Sequence, residues 1–430
     1  MVNSSSFDII SPIDGSIVKT VLHTTNVDEI LEISHAKQKE WQSLSVDKRV
    51  SILRGGVNRL VEAEAKLSAE LTALIGRPIR YTPGEIQGFA YRANYLLELA
   101  TEQLKETAVE ESDTYKLSIR KEPVGTVLII GAWNYPYLVV VNTLIPALAA
   151  GNAVIIKHAT QTAPVGDSIR DAFVQGGLPP GLLESVHLSN ENTEALAVHP
   201  KINYISLVGS IRAGQAVASR STSRKSDFIK VSLELGGCDA AYVRHDVDLT
   251  KAASALADGA FFNSGQSCCG IQRIFVHESK FDAFVSLFES AMQDYKLGDP
   301  RNPATLLGPV VTEDAAKNIM LALSDQQGSS RVLRLQVPPE FSVNPTFLAP
   351  VAFIEPKRDS TILTTEVFGP NVAICRVTSD EEAIVRINET PYGLTTSIWT
   401  SDPSFVEGNA HLFDSGSVYM NKCDWLRINV

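Results

Sequence analysis

Cysteine is scarce in this 430-residue chain: five residues, at 238, 268, 269, 375 and 423, odd in number and never spaced CxxC. That excludes a disulfide framework and a zinc site, so no metal is expected, and it fits a reducing compartment. A cytoplasmic location is the expectation. Positive charge is also short, with 38 Lys and Arg against 49 Asp and Glu and a net charge of -11. A surface built to grip the phosphates of nucleic acid is thereby excluded. The N-terminus, MVNSSSFDII, has no basic segment ahead of an apolar run, so no secretory signal is expected. Internal repeats and low-complexity tracts are absent. What remains is ordinary globular composition, 44% hydrophobic and 20% charged. A chain of this length is too long for one core and implies two or three domains.

The one run long enough to span a bilayer is the charge-free stretch 123–156. Its polar residues and prolines, Asn134, Pro136, Asn142, Pro146 and Asn152, do not thin out toward the middle. It reads as strand, loop, buried helix (137–149) and strand (153–157), the interior of an α/β domain, and no membrane partner is expected. Upstream, Val46, Val50, Leu53, Val57, Leu60 and Val61 share one helical face, and Leu67, Leu71 and Leu74 continue a second helix stopped by Gly76 and Pro78. Pro83 opens another helix to about residue 106. Tyr115, Leu117 and Ile119 then alternate with charged or polar residues, a strand with one wet face that suits pairing with another chain.

From 123 onward apolar strands alternate with helices, at 127–130, 154–156, 185–188, 204–208 and 231–235. This pattern predicts a mostly parallel sheet covered on both faces. A second α/β unit starts near Gly237, with a helix over 280–295 and strands near 351–354 and 372–377. The stretch 326–344 reads as an irregular surface excursion.

Ligand chemistry in such folds sits where strand ends meet helix starts. Asn134, in Gly131-Ala-Trp-Asn-Tyr-Pro136, follows a strand and offers an amide to an oxyanion, or simply forms a turn. Lys157 follows the next strand and suits sugar hydroxyls or phosphate, or is a solvated strand end. Gly209-Ser210 opens a helix whose N–H groups suit a pyrophosphate, a weak signal alone. Glu234, ahead of Gly236 and Gly237, is either a base of raised pKa or half of an ion pair. Cys268 follows an apolar helical run and a glycine turn, a setting for a nucleophilic thiol as well as for a small core residue.

In this order the segments WNYP (133–136), LELGG (233–237), FFNSGQSC (261–268) with Arg273, and EVFGP (366–370) resemble the aldehyde dehydrogenase superfamily; NETPYGL (388–394) and GSVYMN (416–421) fit more loosely. The resemblance covers nearly the whole chain. It implies an α/β fold: a Rossmann-like cofactor domain (1–106 and 123–236), an α/β catalytic domain (237–430) and a small β oligomerisation extension (107–122). It implies oxidation of a small aldehyde with hydride transfer to NAD or NADP, hydrolytic because Glu234 is present, in a homo-oligomer. Cys268 matches the nucleophile, Asn134 with the Cys268 N–H the oxyanion hole, and Glu234 the base that activates water. Trp133, Lys157, Thr160, Gly209, Ser210, Glu366 and Phe368 match cofactor contacts. Tyr135, Asn142, Phe262 and Trp425 are expected along the substrate tunnel.

Three departures stand out. Thr160 occupies the place of a glutamate that binds ribose hydroxyls in many NAD-preferring members, and so points toward NADP. Cys238 replaces a frequent lysine, read as packing. The chain stops at Val430, short of the Gly-Gly loop, helix and strand that usually follow. The expectation is a C-terminally truncated product, for which a catalytically incompetent binding or interaction protein is the alternative to an active enzyme.

Overall fold

The computed structural model describes residues 5–224, 228–324 and 329–423. The chain divides into two compact units: Met1–Ile10, Ile17–Glu70 and Pro83–Leu235 form the first, and Ser11–Ser16, Leu71–Thr82 and Gly236–Val430 the second. The chain passes from the first unit to the second for the last time between Leu235 and Gly236. The stretches 11–16 and 71–82 nonetheless pack with the second unit, although they were expected in the first.

The first unit is built on a five-stranded sheet ordered Leu183–Ser185, Ala153–His158, Thr126–Gly131, Tyr204–Val208, Lys230–Glu234. Every neighbouring pair is parallel. In chain order the strands lie 3-2-1-4-5, so the order reverses between Thr126–Gly131 and Tyr204–Val208, where a doubly wound sheet opens its binding crevice. Leu128, Ile155, Ile205 and Leu207 are buried in one cluster with Leu31, Val186, Leu188 and Leu196. The helix Leu138–Ala149 fills part of the charge-free stretch, and no helix among the described residues is long and apolar enough to cross a membrane.

Two details differ from expectation. The third strand is Leu183–Ser185 rather than 185–188: Val186 and Leu188 are apolar because they sit in the core beside the sheet, not because they are strand. Val61, placed on the buried face of Val46–Glu62, is 42% exposed, while Val50, Leu53, Val57 and Leu60 are buried as read. The hairpin Thr107–Glu111 with Lys116–Ile119 forms a separate two-stranded sheet, exposed along nearly its whole length.

The second unit carries a seven-stranded sheet ordered Arg331–Arg334, Val351–Ile354, Asn371–Val377, Ile271–His277, Asp239–Val243, Thr395–Trp399, Ser417–Met420. Only the first pair is antiparallel. Period-2 alternation splits its side chains: Ala241, Val243 and Ile274 face the helices Leu249–Phe261 and Phe281–Met292, while Ala240, Tyr242 and Phe275 pack with Ala383 and Ile387 on the other side. Arg331–Arg334 lies inside the stretch expected to be irregular. Only Leu333 of its four residues is buried, so charged side chains on the wet edge masked the period. Residues 326–328 of that stretch lie outside the described residues.

Candidate active site

In the first unit the expected residues line the carboxyl ends of adjacent strands. The segment Trp133–Tyr137 leaves the central strand, with Asn134 only 5% exposed. Lys157 and His158 end the next strand, where Gly131 is paired in register with His158. On the other side of the reversal, Ser210 caps the helix Ile211–Ser221 by accepting the Ala213 N–H, and the Gly209 N–H donates to the Glu234 carbonyl at 3.0 Å. The Glu234 side chain is exposed and makes no hydrogen bond or ion pair among the described residues, so the ion-pair alternative is not realised. Thr160 is exposed too; the cap position of the following helix is Thr162, so Thr160 is not its cap.

Lys157 is 6% exposed and finds no carboxylate among the described residues; burial pushes its pKa down. A buried ammonium without an anion is costly unless something supplies acceptors. The donors on this edge, Lys157, the Thr160 hydroxyl and the free N–H groups of a helix start, suit the ribose and pyrophosphate of a dinucleotide. The residues present therefore fit NAD or NADP.

In the second unit the sequence Asn263-Ser-Gly-Gln-Ser-Cys268 builds a strained turn. The helix Leu249–Phe261 ends, and Asn263 (φ 51°), Ser264 (φ 57°) and Gly265 (φ 68°) follow in the left-handed region. Each non-glycine residue there costs about 1–2 kcal/mol. The turn persists because its side chains are tied down. Arg77 Nε donates to Asn263 Oδ1 (3.0 Å), Ser264 Oγ donates to the Gly308 carbonyl (2.8 Å), and Gln266 Oε1 accepts the Val311 N–H (2.8 Å). At roughly 1 kcal/mol each, these bonds offset the strain. Gly265 has no alternative: a Cβ would stand 1.9 Å from the Gly369 carbonyl oxygen.

Cys268 emerges from this turn half-buried, whereas Cys269 is 6% exposed. The two glycines after Glu234 are explained by what passes them. A Cβ on Gly237 would stand 2.4 Å from the Cys268 carbonyl oxygen, and one on Gly236 2.1 Å from Glu366 Oε2. The Gly237 N–H donates to Glu366 Oε1 at 3.1 Å. Burial holds the Glu366 carboxyl above the usual carboxylate range, against the pull of that N–H. Gln272 secures the same segment: it accepts the Val367 N–H at 2.7 Å and donates to the Thr365 carbonyl at 2.7 Å. Arg273 donates to the Cys238 carbonyl at 2.9 Å, and Cys238 itself is buried, its thiol pushed up to about 11 by burial.

Within its unit each group of expected residues is thus brought together: Trp133, Asn134, Lys157, Thr160, Gly209, Ser210 and Glu234 along one sheet edge, Cys268, Glu366 and Phe368 around Gly236 and Gly237. Of the expected tunnel residues, Tyr135 is buried, Phe262 is buried against the edge of Tyr81, Asn142 is exposed, and Trp425 lies outside the described residues. Sequence reasoning missed the supports, Arg77, Gln272, His158 and Glu85. A buried arginine beside a proline carries no local signature, but Gln272 and His158 sit next to motif residues, a signal within reach.

A 3-2-1-4-5 parallel sheet with anion-seeking strand ends, and a second unit that spends strain to present a thiol, define a two-domain α/β enzyme of the dinucleotide-dependent kind. The family pattern described as "Aldehyde dehydrogenase family" matches residues 1–430, and the chain belongs to that family. It is an NAD(P)-dependent enzyme of aldehyde oxidation. It is 30% identical over 421 residues to a succinate-semialdehyde dehydrogenase [NADP(+)] of Deinococcus radiodurans, covering 96% of this chain and 86% of that one. A similar match, 30% over 420 residues and covering 96% and 90%, is to succinate-semialdehyde dehydrogenase [NADP(+)] 1 of Mycobacterium ulcerans. Among solved structures it resembles PnpE in complex with nicotinamide adenine dinucleotide, with TM-score 0.93, 26% identity, and 98% and 87% of the two chains covered.

Proposed function

We propose that this chain converts an aldehyde to its carboxylic acid with Cys268 as nucleophile and Glu234 as the base of the hydrolytic half. The Cys268 thiolate adds to the aldehyde carbon, and the oxygen takes up the negative charge. The Asn134 amide and the Cys268 N–H are the donors assigned to that oxygen. NAD or NADP, when bound, accepts the hydride released as the adduct collapses. The acyl group then remains on Cys268 as a thioester. Glu234 takes a proton from water, the hydroxide adds to the acyl carbon, and the thiolate leaves. Lys157, Thr160, Gly209, Ser210 and Trp133 hold the adenosine and pyrophosphate side, and Glu366 and Phe368 the nicotinamide ribose and ring.

The observation that carries the reading is the left-handed turn at Asn263–Gly265, strain retained where it presents Cys268 half-exposed and leaves Cys269 buried. The test is NAD(P)H formation over an aldehyde panel that includes succinate semialdehyde, the substrate named for both relatives. Cys268→Ala is expected to abolish turnover and Cys269→Ala to retain it; substantial turnover by the first variant would sink the assignment. The intact set of chemistry-bearing residues favours this active enzyme over an incompetent binding protein.

Two further expectations belong to the same proposal. Five cysteines, none of them in a disulfide, suit the cytoplasm. The hairpin 107–119 leaves Val109, Leu117 and Ile119 at least half exposed, a surface for a second copy of this chain in a homo-oligomer.

A further inference from the structure

One peptide group in the first unit is held at both ends by buried side chains that the reaction scheme does not use. The Pro136 carbonyl oxygen lies 2.9 Å from His158 Nε2, and the Tyr137 N–H donates to Glu85 Oε1 at 2.8 Å. Both belong to the single peptide bond between residues 136 and 137, two positions past Asn134. The clamp is thoroughly buried, with His158 and Glu85 each 3% exposed and Tyr137 1%.

The chemistry fixes the histidine's tautomer. A carbonyl only accepts, so Nε2 must carry the proton and Nδ1 must be bare. Nδ1 indeed has no hydrogen-bond partner among the described residues. Burial drops the ring's pKa to about 4, so it stays neutral through the working range. The ring is closely packed between two glycines. A Cβ on Gly131 would come 2.9 Å from Val140 Cγ1 and 3.2 Å from the ring's Cδ2, and one on Gly166 2.5 Å from Ser185 Oγ and 3.1 Å from the ring's Nδ1. Both positions keep glycine, and the imidazole sits between them. A buried histidine with one unsatisfied nitrogen is a poor choice for packing alone; a leucine there would leave nothing unpaired except the carbonyl the histidine serves.

We propose that His158 and Glu85 are a positioning pair that fixes the Pro136–Tyr137 peptide and, through it, the direction of the Asn134 amide. The inference rests on the reading of Asn134 as the oxyanion donor. Such a donor acts only if it is preorganised, since an amide free to swing toward the ground state stabilises nothing in particular. The loop Gly131–Tyr137 has strand on one side and helix on the other, and the clamp falls just before the helix Leu138–Ala149 begins. Rotation of that one peptide would turn the whole Trp133–Pro136 segment.

The test compares two polar replacements with different reach. A glutamine amide places its N–H₂ near the position of Nε2, an asparagine amide near Nδ1, so only His158→Gln can still donate to Pro136. His158→Asn is expected to lower kcat about tenfold, the worth of one buried hydrogen bond of about 1.4 kcal/mol, with KM for NAD(P) unchanged. His158→Gln is expected to recover most of that loss. In an Asn134→Ala background, His158→Asn is expected to cost less than twofold, because the group it positions is gone. Equal kcat for the Gln and Asn variants, or a full tenfold loss in the Asn134→Ala background, overturns the positioning role. If Asn134→Ala alone leaves kcat intact, the oxyanion reading fails first, and the positioning role with it. Should neither histidine variant fold, Glu85→Gln, which keeps an acceptor oxygen, against Glu85→Met reads the other end of the same peptide by the same criteria.

Discussion

Replacing Gly236 by alanine separates the stability of the second unit from the placement of Glu366. The backbone at Gly236 is not left-handed, so alanine is conformationally acceptable there. The added Cβ would stand 2.1 Å from Glu366 Oε2 and 2.9 Å from Oε1, and these are the far end of a side chain that can rotate away. Glu366 must then give up the 3.1 Å bond from the Gly237 N–H. A hydrogen bond to a charged group contributes about 1.5–3 kcal/mol, and Gly→Ala returns about 0.4–1 kcal/mol through the unfolded chain. The net loss is about 1–2 kcal/mol, a Tm drop of about 2–8 °C for a unit of this size. Calorimetry reads that, and NAD(P) titration reads the displaced carboxylate. Binding is expected to weaken about tenfold, the equivalent of 1.4 kcal/mol. Shortening the partner in Gly236→Ala/Glu366→Asp is expected to recover most of the stability, because the shorter side chain clears the Cβ. Gly265→Ala is the control: its φ of 68° and the 1.9 Å approach to the Gly369 carbonyl involve backbone that cannot rotate away, so it should lose more than about 3 kcal/mol. If Gly236→Ala keeps full cofactor affinity and shows no coupling to Glu366→Asp, the reasoning that glycine is there for the carboxylate is refuted.

Glu234→Gln is expected to give a burst of about one NAD(P)H per site and then turnover slowed about 10²-fold or more, since only thioester hydrolysis loses its base. Rapid-mixing absorbance decides it, and loss of the burst itself would place Glu234 earlier in the reaction. Thr160→Glu is expected to lower kcat/KM for NADP about tenfold or more relative to NAD, because a carboxylate at this exposed position repels a ribose 2′-phosphate while threonine donates to it. A wild-type preference for NAD that the substitution leaves unchanged rules this out. Glu366, whose folded pKa is raised by burial, costs the fold stability when charged. That cost is absent below the ordinary glutamate pKa, about 4, and complete once pH has risen through the raised value. Glu366→Gln is therefore expected to be more stable than wild type near pH 8 and to lose the advantage as pH falls toward 4. A pH-independent difference in denaturant midpoint would contradict it.

Much of this protein is legible in its sequence. Alternation of apolar runs with helical faces declared a parallel α/β chain, because period and burial are local properties of the sequence. The motifs around Asn134, Glu234, Cys268 and Glu366 were legible as candidate sites, because glycines and polar residues interrupt the apolar strands there. Tertiary structure decided what each motif packs against. That Gly237 makes room for the Cys268 carbonyl, and Gly236 for a carboxylate 130 residues on, is a fact about close approach that no spacing rule contains. Val186 and Leu188 looked like strand because apolar residues beside a sheet and within it have the same composition. Arg331–Arg334 looked irregular because an edge strand with one buried residue has almost no period to read. The assignment of 11–16 and 71–82 to the second unit depended on contacts made hundreds of residues apart, such as the Asn344 amide on the Pro12 carbonyl. Local sequence sets secondary structure and the chemical inventory. Which buried side chain holds which backbone group is settled only when distant segments are packed together.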